Sequence, residues 1–198
     1  MLDANLSQQL VRDIIAETDG AQFFSQEAID WAIAETGQEK SLKTIAVVPT
    51  RFFVDMMPAA EADPTSTERV NHVMRSGGTF SSLPVLFFEN EGNGVGQVVA
   101  HDGRHRIQAL LERGVEVVPV ILVSREGGHG RAIRWGRISA GERPRVFPTM
   151  LRGEGKCPAT DMQPLPDSVV FPWRANLADE QRQSPRVSGS PSPSFGPI

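Results

Sequence analysis

The sequence is poor in cysteine and has no long run of apolar residues. Cys157 is the single cysteine among 198 residues, so no disulfide can form within the chain and no zinc site built from several cysteines can exist. No apolar stretch approaches the roughly 18 residues that a membrane-spanning helix needs. The first residues, MLDANLSQQLVRDIIAE, are acidic and amphipathic, unlike a signal or transit peptide. These absences predict a cytoplasmic protein without zinc, disulfide or membrane partner.

Positive charge is scarce in the first half of the chain and concentrated after it. Residues 1–103 have a net charge of −9, whereas residues 104–152 carry ten arginines and four glutamates, a net charge of +6. Arginine suits planar, two-point contacts with phosphate, so this segment is a candidate surface for nucleic acid. Pairing with the acidic first half explains the arginines equally well. The candidate nucleic-acid-binding residues are Arg125, Arg131, Arg134 and Arg137.

The hydrophobic periodicity predicts an α+β fold. Three regions are expected: a helical extension over 1–40, a domain over 41–153 and a Pro/Ser-rich tail over 154–198. Helices are predicted at 6–17, 26–35 (capped by Ser25), from Thr65 to about Arg75, and 104–113; strands are predicted at 44–48, 83–88, 95–100 and 115–123. Thr65 and Glu68 have capping-box spacing. Pro119 indicates a bulge or an edge within the last strand.

The chain changes character at Cys157. Eight of its fifteen prolines follow that position, and the composition predicts no packed fold there. Residues 169–177, VVFPWRANL, are an apolar island within this tail. Two interpretations are open: a strap across the protein's own surface, which we favour, and a docking motif for a protein partner.

The stretch HDGRHR, residues 101–106, carries the densest chemistry of the sequence. A helix that begins after Gly103 presents free backbone N–H groups at its first turn, and these favour an anion. The predicted phosphate-binding residues are Gly103, Arg104, His105 and Arg106. Asp102 is a candidate ligand for a magnesium ion that bridges to phosphate, or alternatively the N-cap of the helix. His101 and His105 straddle the junction and lack the spacing of a zinc helix.

The segment from Thr44 to Val123 resembles the ParB/sulfiredoxin superfamily. TIAVVPTRFF resembles its opening strand, and HDGRHRIQALLERGVEVVPVILV its phosphate-binding turn, helix and following strand. The resemblance implies a small mixed sheet with flanking helices. Arg104 stands where sulfiredoxins have their reactive cysteine, which excludes sulfinate repair. Gly103 and Arg106 match the CTP-binding motif of partition-type ParB proteins, but too few residues follow Val123 for their helix-turn-helix domain.

Other members of the superfamily suggest further roles. Free-serine kinases share Asp102, Gly103 and Arg106 and use a glutamate as general base, for which Glu68 is the natural candidate, with Glu61 and Asp63 nearby. Stand-alone plasmid and phage members are linked to nuclease and nucleotide-hydrolysing activity, and the short domain looks most like this group.

We therefore expect a protein that binds nucleotide or DNA phosphate, with weak nuclease or NTPase activity as one outcome. The expected cofactor is Mg²⁺ with ATP or CTP. In a catalytic protein, Asp102 would hold the metal, and His105 or Glu68 would move the proton. A non-enzymatic interaction or inhibitor factor and a nucleotide-dependent small-molecule kinase remain the alternatives, so the sequence leaves open whether the protein is an enzyme.

Overall fold

The structure is a computed structural model that describes residues 4–36, 42–56, 63–92, 95–125, 145–147 and 163–173. Its helices are α1 (Ala4–Ala16), α2 (Gln26–Thr36), α3 (Thr50–Asp55), α4 (Pro64–Arg75) and α5 (Arg104–Glu112), with a short 3-10 helix at Ala21–Phe23. Its strands are β1 (Lys43–Pro49), β2 (Val85–Gly92), β3 (Val95–Asp102), β4 (Val117–Arg125), β5 (Arg145–Phe147) and β6 (Gln163–Pro164).

The strands form one mixed sheet in the order β1-β4-β2-β3-β5-β6. Strand β4 pairs antiparallel with β1 and parallel with β2, and β2 and β3 form the predicted hairpin. The last two strands are short and extend the sheet beyond β3. The prediction of an α+β fold with a mixed sheet and flanking helices is confirmed.

One hydrophobic core contains residues of the sheet, of the N-terminal helices α1 and α2, and of α5. Leu86 and Phe88 of β2 are fully buried, and they share a cluster with Ile107 and Leu110 of α5. The same cluster contains buried residues of α1 and α2, namely Val11, Ile15, Ile29 and Ile33. Burying one such side chain contributes about 1.5–3 kcal/mol. Helices α1 and α2 therefore pack against the sheet and share its core.

Two helices differ from the expectation: α3 is not predicted from the sequence, and α4 is capped by a different residue. The irregular apolar stretch after β1 forms α3, which the periodicity did not reveal because six residues are too few to show it. Helix α4 is capped by Asp63, whose Oδ1 accepts from the Thr65 N–H at 3.1 Å, so the predicted capping box at Thr65 is wrong. Pro64 suits the first helical position because its φ is preset and it lacks an N–H. The Ser25 cap is confirmed, since its Oγ accepts from the Ala28 N–H at 3.2 Å.

Pro119 lies within β4, the second strand of the sheet, yet its missing N–H costs no sheet hydrogen bond. It stands opposite Val47 of β1, and the Val47 peptide groups point outward, where they bond Val170 at 2.8 and 2.9 Å. Pairing of β4 with β2 begins only at Ile121. On the side away from β1, Pro119 therefore has no strand residue paired with it. Prolines within sheets are confined to such unpaired positions, because they have no N–H to donate.

Residues 163–173 correct the expectation that no packed structure follows Cys157. Leu165, Val169 and Phe171 are buried in the core, and Val170 pairs with the outer edge of β1. The Trp173 Nε1–H donates to the Thr36 Oγ1 at 3.1 Å. These contacts show that residues 169–173 form a strap across the protein's own surface, which is the interpretation that we favour from the sequence. Apolar side chains at this spacing can cover a core without forming a regular helix or strand. Residues 174–177 lie outside the described part of the chain.

None of the helices in the described ranges has the length and apolar character needed to cross a membrane.

Candidate functional site

The end of β3 and the start of α5 meet at a tight turn on Gly103. Its φ of 90° lies in the left-handed region, which glycine adopts without a steric penalty. A Cβ at this position would lie 2.8 Å from the Arg106 Nη2 and 3.0 Å from the Pro84 Cβ. Both the backbone angle and the space therefore require glycine at this turn, as the sequence predicted.

The N-cap residue of α5 has no side chain that could cap the helix. Gly103 is its N-cap residue and supplies no side-chain acceptor, and the first helical bond runs from the Ile107 N–H to the Gly103 carbonyl at 3.0 Å. The N–H groups of residues 104–106 therefore precede the Ile107 N–H, the first that donates within the helix. Helix α4 differs, because the Asp63 carboxylate already accepts from its first turn. Of these two helices, α5 is the one whose N-terminus can accept an external anion.

Arg106 braces this turn. Its Nη1 donates to the Ser82 carbonyl and, at 2.7 Å, to the Ser82 Oγ, while its Nη2 donates to the Asp102 Oδ2 at 2.9 Å. The guanidinium Cζ lies 6.0 Å from the centre of the Phe80 ring, and the side chain is 13% exposed. Three of the five guanidinium donors are therefore committed to the protein. The structure places Arg106 at the predicted site, but in a supporting position.

Asp102 is the partner of Arg106 and not the N-cap of α5. Its side chain is 65% exposed, with one oxygen bonded to the guanidinium. Among the described residues, no group of three or more His, Cys, Asp or Glu side chains is arranged to hold a metal ion. Magnesium usually binds one or two carboxylates together with substrate phosphates. Asp102 fits such a role only alongside a bound phosphate ligand.

His101, Arg104 and His105 share one electrostatic environment beside the turn. Partial burial lowers the pKa of His101, and the positive charges of Arg104 and His105 lower it further, while Asp102 opposes the shift. The His105 Nδ1 lies 3.3 Å from the Thr67 Oγ1 in the first turn of α4. The N-termini of α4 and α5 therefore meet at His105, and the Arg104 guanidinium and two imidazoles lie beside the start of α5.

The candidate general bases Glu68 and Asp63 lie at the start of α4, near His105, and their side chains have different surroundings. Glu68 follows Thr67 on α4, and its side chain is exposed. Asp63 is occupied as the α4 cap: the hydrogen bond from the Ser66 hydroxyl is the main cause of its lowered pKa, with smaller contributions from backbone donors and from His105. A carboxylate held ionised in this way is a poor general base at neutral pH. Glu61 lies outside the described residues.

Of the predicted nucleic-acid-binding arginines, the structure describes Arg125, at the end of β4. Its guanidinium Cζ lies 4.5 Å from the centre of the Phe87 ring. Arg131, Arg134 and Arg137 lie outside the described residues. Sequence reasoning missed Phe87 and Ser82, although the alternation along β2 could have shown that Phe87 points away from the buried face.

No family model, curated protein or solved structure matches this chain.

Proposed function

We propose that this protein binds a phosphate-bearing ligand, a nucleotide or a nucleic acid, at the Gly103 turn. The single observation that carries the proposal is the uncapped N-terminus of α5, which Gly103 presents beside Arg104 and His105. The ParB-like pattern of the sequence agrees with this use of the turn. The proposal concerns binding first, because the same groups serve a binding protein and an enzyme.

The expected energetics favour an anion of high charge density. The helix dipole contributes about 0.3–1 kcal/mol, and each hydrogen bond to a charged group contributes about 1.5–3 kcal/mol. Asp102 would repel an isolated phosphate, but its pairing with Arg106 offsets part of its charge. Arg106 thus supports binding by neutralising Asp102 and by holding the turn against Ser82.

A nucleotide carrying Mg²⁺ fits the same arrangement. Magnesium would neutralise phosphate charge, and Asp102 is the described residue that would hold it. ATP and CTP are the nucleotides proposed. Arg104 and His105 would bind the phosphate oxygens directly.

Phosphate transfer or hydrolysis is supported less well than binding. General-base catalysis requires a group within hydrogen-bond reach of the reacting hydroxyl or water, and among the described residues exposed Glu68 makes no contact that aims it at the turn. His105 lies closer, and its Nδ1 faces Thr67. The kinase and nuclease alternatives therefore require that a bound ligand brings a proton acceptor, Glu68 or His105, next to its reacting group.

An interaction protein is the second candidate function. The observation that favours it is Trp31, which is 57% exposed on α2. Glu27 and Glu35 lie four residues on either side of it and are also exposed. Glu35 pairs with Lys43, so Glu27 would supply the negative charge for a basic, apolar segment of another protein.

Calorimetric titration with ATP, CTP and a short single-stranded DNA, each with and without magnesium, tests the proposed function. Wild type should bind at least one of them, and replacing Arg104 and His105 together by glutamine should weaken that binding about tenfold or more, since the guanidinium and the imidazole donors are lost. Arg51→Gln removes an exposed cation that pairs with Asp55 on α3 and is the matched control. Equal affinities of the double variant and wild type would contradict the proposal.

A further inference from the structure

The second face of the sheet is partly open and carries an aromatic ring at its centre. Leu86 and Phe88 of β2 point into the core, whereas Val85 and Phe87 point to the other face and are half-buried. The register of the sheet places four half-buried residues of this face in one row across the strands: Lys43, Val123, Phe87 and Ala100.

Arg125 lies over this ring. The 4.5 Å between its Cζ and the centre of the Phe87 ring is well within the range of a cation–π contact. The rest of Arg125 is exposed. A guanidinium held in place by a ring provides a flat cationic surface, and nucleobases stack on arginine planes as they do on aromatic rings.

The stacked pair lies close to the Gly103 turn. Val85 stands opposite Asp102 and Phe87 opposite Ala100, so the row of Phe87 is two residues from the end of β3. At a rise of about 3.3 Å per residue, this separation is about 7 Å along the strand. Side-chain alternation puts Asp102 and Phe87 on the same face. Helix α5 packs on the Leu86 and Phe88 face, so a ligand with its phosphate at the turn reaches the ring pair by passing around the end of β3.

The charges around the pair give the ligand a direction. Glu89 is the register partner of Arg125, and its carboxylate disfavours a phosphate at that end. Lys43, at the far end of the row, is paired with Glu35 at 3.1 Å. At the Gly103 turn the Asp102 carboxylate is paired with Arg106, and Arg104 lies beside it. The anionic part of a ligand is thus favoured there, and the uncharged base is left to the ring pair.

We infer that Arg125, held by Phe87, stacks on the base of a nucleotide or of a single-stranded nucleic acid whose phosphate lies at the Gly103 turn. Arg125 contacts the base, and Phe87 is the positioning residue that fixes the guanidinium. This inference rests on the proposed function, and it adds a preference for ligands that carry a base. Nucleotide and nucleic acid offer the same chemistry here, so the test includes both.

The test compares Arg125→Lys and Phe87→Leu with wild type in binding ATP, CTP, a short oligothymidylate and ribose 5-phosphate, which lacks a base. Lysine keeps the charge without the flat guanidinium, and leucine keeps an apolar side chain without the ring. Each variant should bind the base-bearing ligands about tenfold more weakly, about 1.4 kcal/mol, and ribose 5-phosphate as wild type does. Arg51→Lys, an exposed exchange on α3, should bind every ligand as wild type does.

The outcomes separate this inference from the proposed function. If the variants lose affinity for ATP and CTP alone, the stacked base belongs to a nucleotide. If they lose affinity for the oligothymidylate alone, it belongs to a single-stranded nucleic acid. Unchanged affinity for base-bearing ligands, with ribose 5-phosphate still bound, overturns the stacking and leaves the phosphate site standing. Equal losses for all ligands also overturn the stacking, because they indicate a general structural effect. Wild type that binds none of these ligands overturns the proposed function and this inference together.

Discussion

At the scale of single residues, Arg106 shows how the turn is held. Its guanidinium joins three parts of the chain: the Ser82 carbonyl, the Asp102 carboxylate that ends β3, and its own helix α5. The same guanidinium occupies the space that a side chain on Gly103 would need. The residue that the sequence predicts as a phosphate ligand is thus first a structural support for the loop that binds phosphate.

Arg106→Ala should lower the free energy of unfolding by about 1.5–3 kcal/mol, because hydrogen bonds to a charged group are lost. Urea unfolding of both proteins without ligand measures this change. Arg51→Ala is the control: its i,i+4 pair with Asp55 involves a side chain that is 74% exposed, so a loss of about 0.5 kcal/mol or less is expected. Similar losses for the two variants would contradict the bracing role.

His101 should make stability depend on pH near neutrality. Its pKa is lowered in the folded protein, so the unfolded chain takes up a proton at a higher pH than the folded chain does. The free energy of unfolding should therefore fall as the pH drops through about 6.5, the unperturbed value, towards the lowered folded value. His101→Gln should flatten this part of the profile, measured as Tm between about pH 8 and about pH 5. Parallel profiles of variant and wild type would argue against the assignment.

At the scale of secondary-structure elements, the strap of residues 169–173 completes the sheet edge at β1. Strand β1 bonds β4 on one side, and the outward peptide groups of Val47 bond Val170 on the other. Phe171 and Val169 add apolar surface to the core that β1 and α2 share. The strap therefore protects an edge that would otherwise expose unpaired backbone groups.

Phe171→Ala should destabilise the protein by about 3 kcal/mol, as expected for removal of a buried aromatic ring. Val170→Ala is the matched control, because the Val170 side chain is 42% exposed and its backbone pairing with Val47 survives the change. The control should lose about 0.5 kcal/mol or less. Chemical unfolding of both variants checks this, and equal stability of Phe171→Ala and wild type would mean that the strap contributes nothing to the fold.

The elements around the turn were predictable because their patterns are long and regular. Strands β3 and β4 follow from short apolar runs, and helix α5 follows from its i, i+3, i+4 spacing and from the glycines at 103 and 114. The failures have local causes. Helix α3 has too few residues to show a helical periodicity. Asp63 is the N-cap of α4 because Pro64, which follows it, suits the first helical position. The strap packs through side chains that have no repeating pattern.

At the scale of the whole molecule, the single core fixes the site at the junction of sheet and helices. The sequence could predict which residues lie at the turn, since they are contiguous from His101 to Arg106. It could not predict that Arg106 bonds Ser82 or that Arg125 lies over Phe87, because these contacts depend on the sheet order β4-β2-β3. Contacts between distant segments become visible only when the strand order is known.

The central claim is that the open N-terminus of α5 binds phosphate, and amide NMR with added inorganic phosphate tests it most directly. The account predicts saturable shifts of the Arg104, His105 and Arg106 amide resonances, with no comparable shift of the Thr65 amide, which Asp63 already occupies. Unmoved α5 resonances at saturating phosphate, or equal movement of Thr65, would contradict the account.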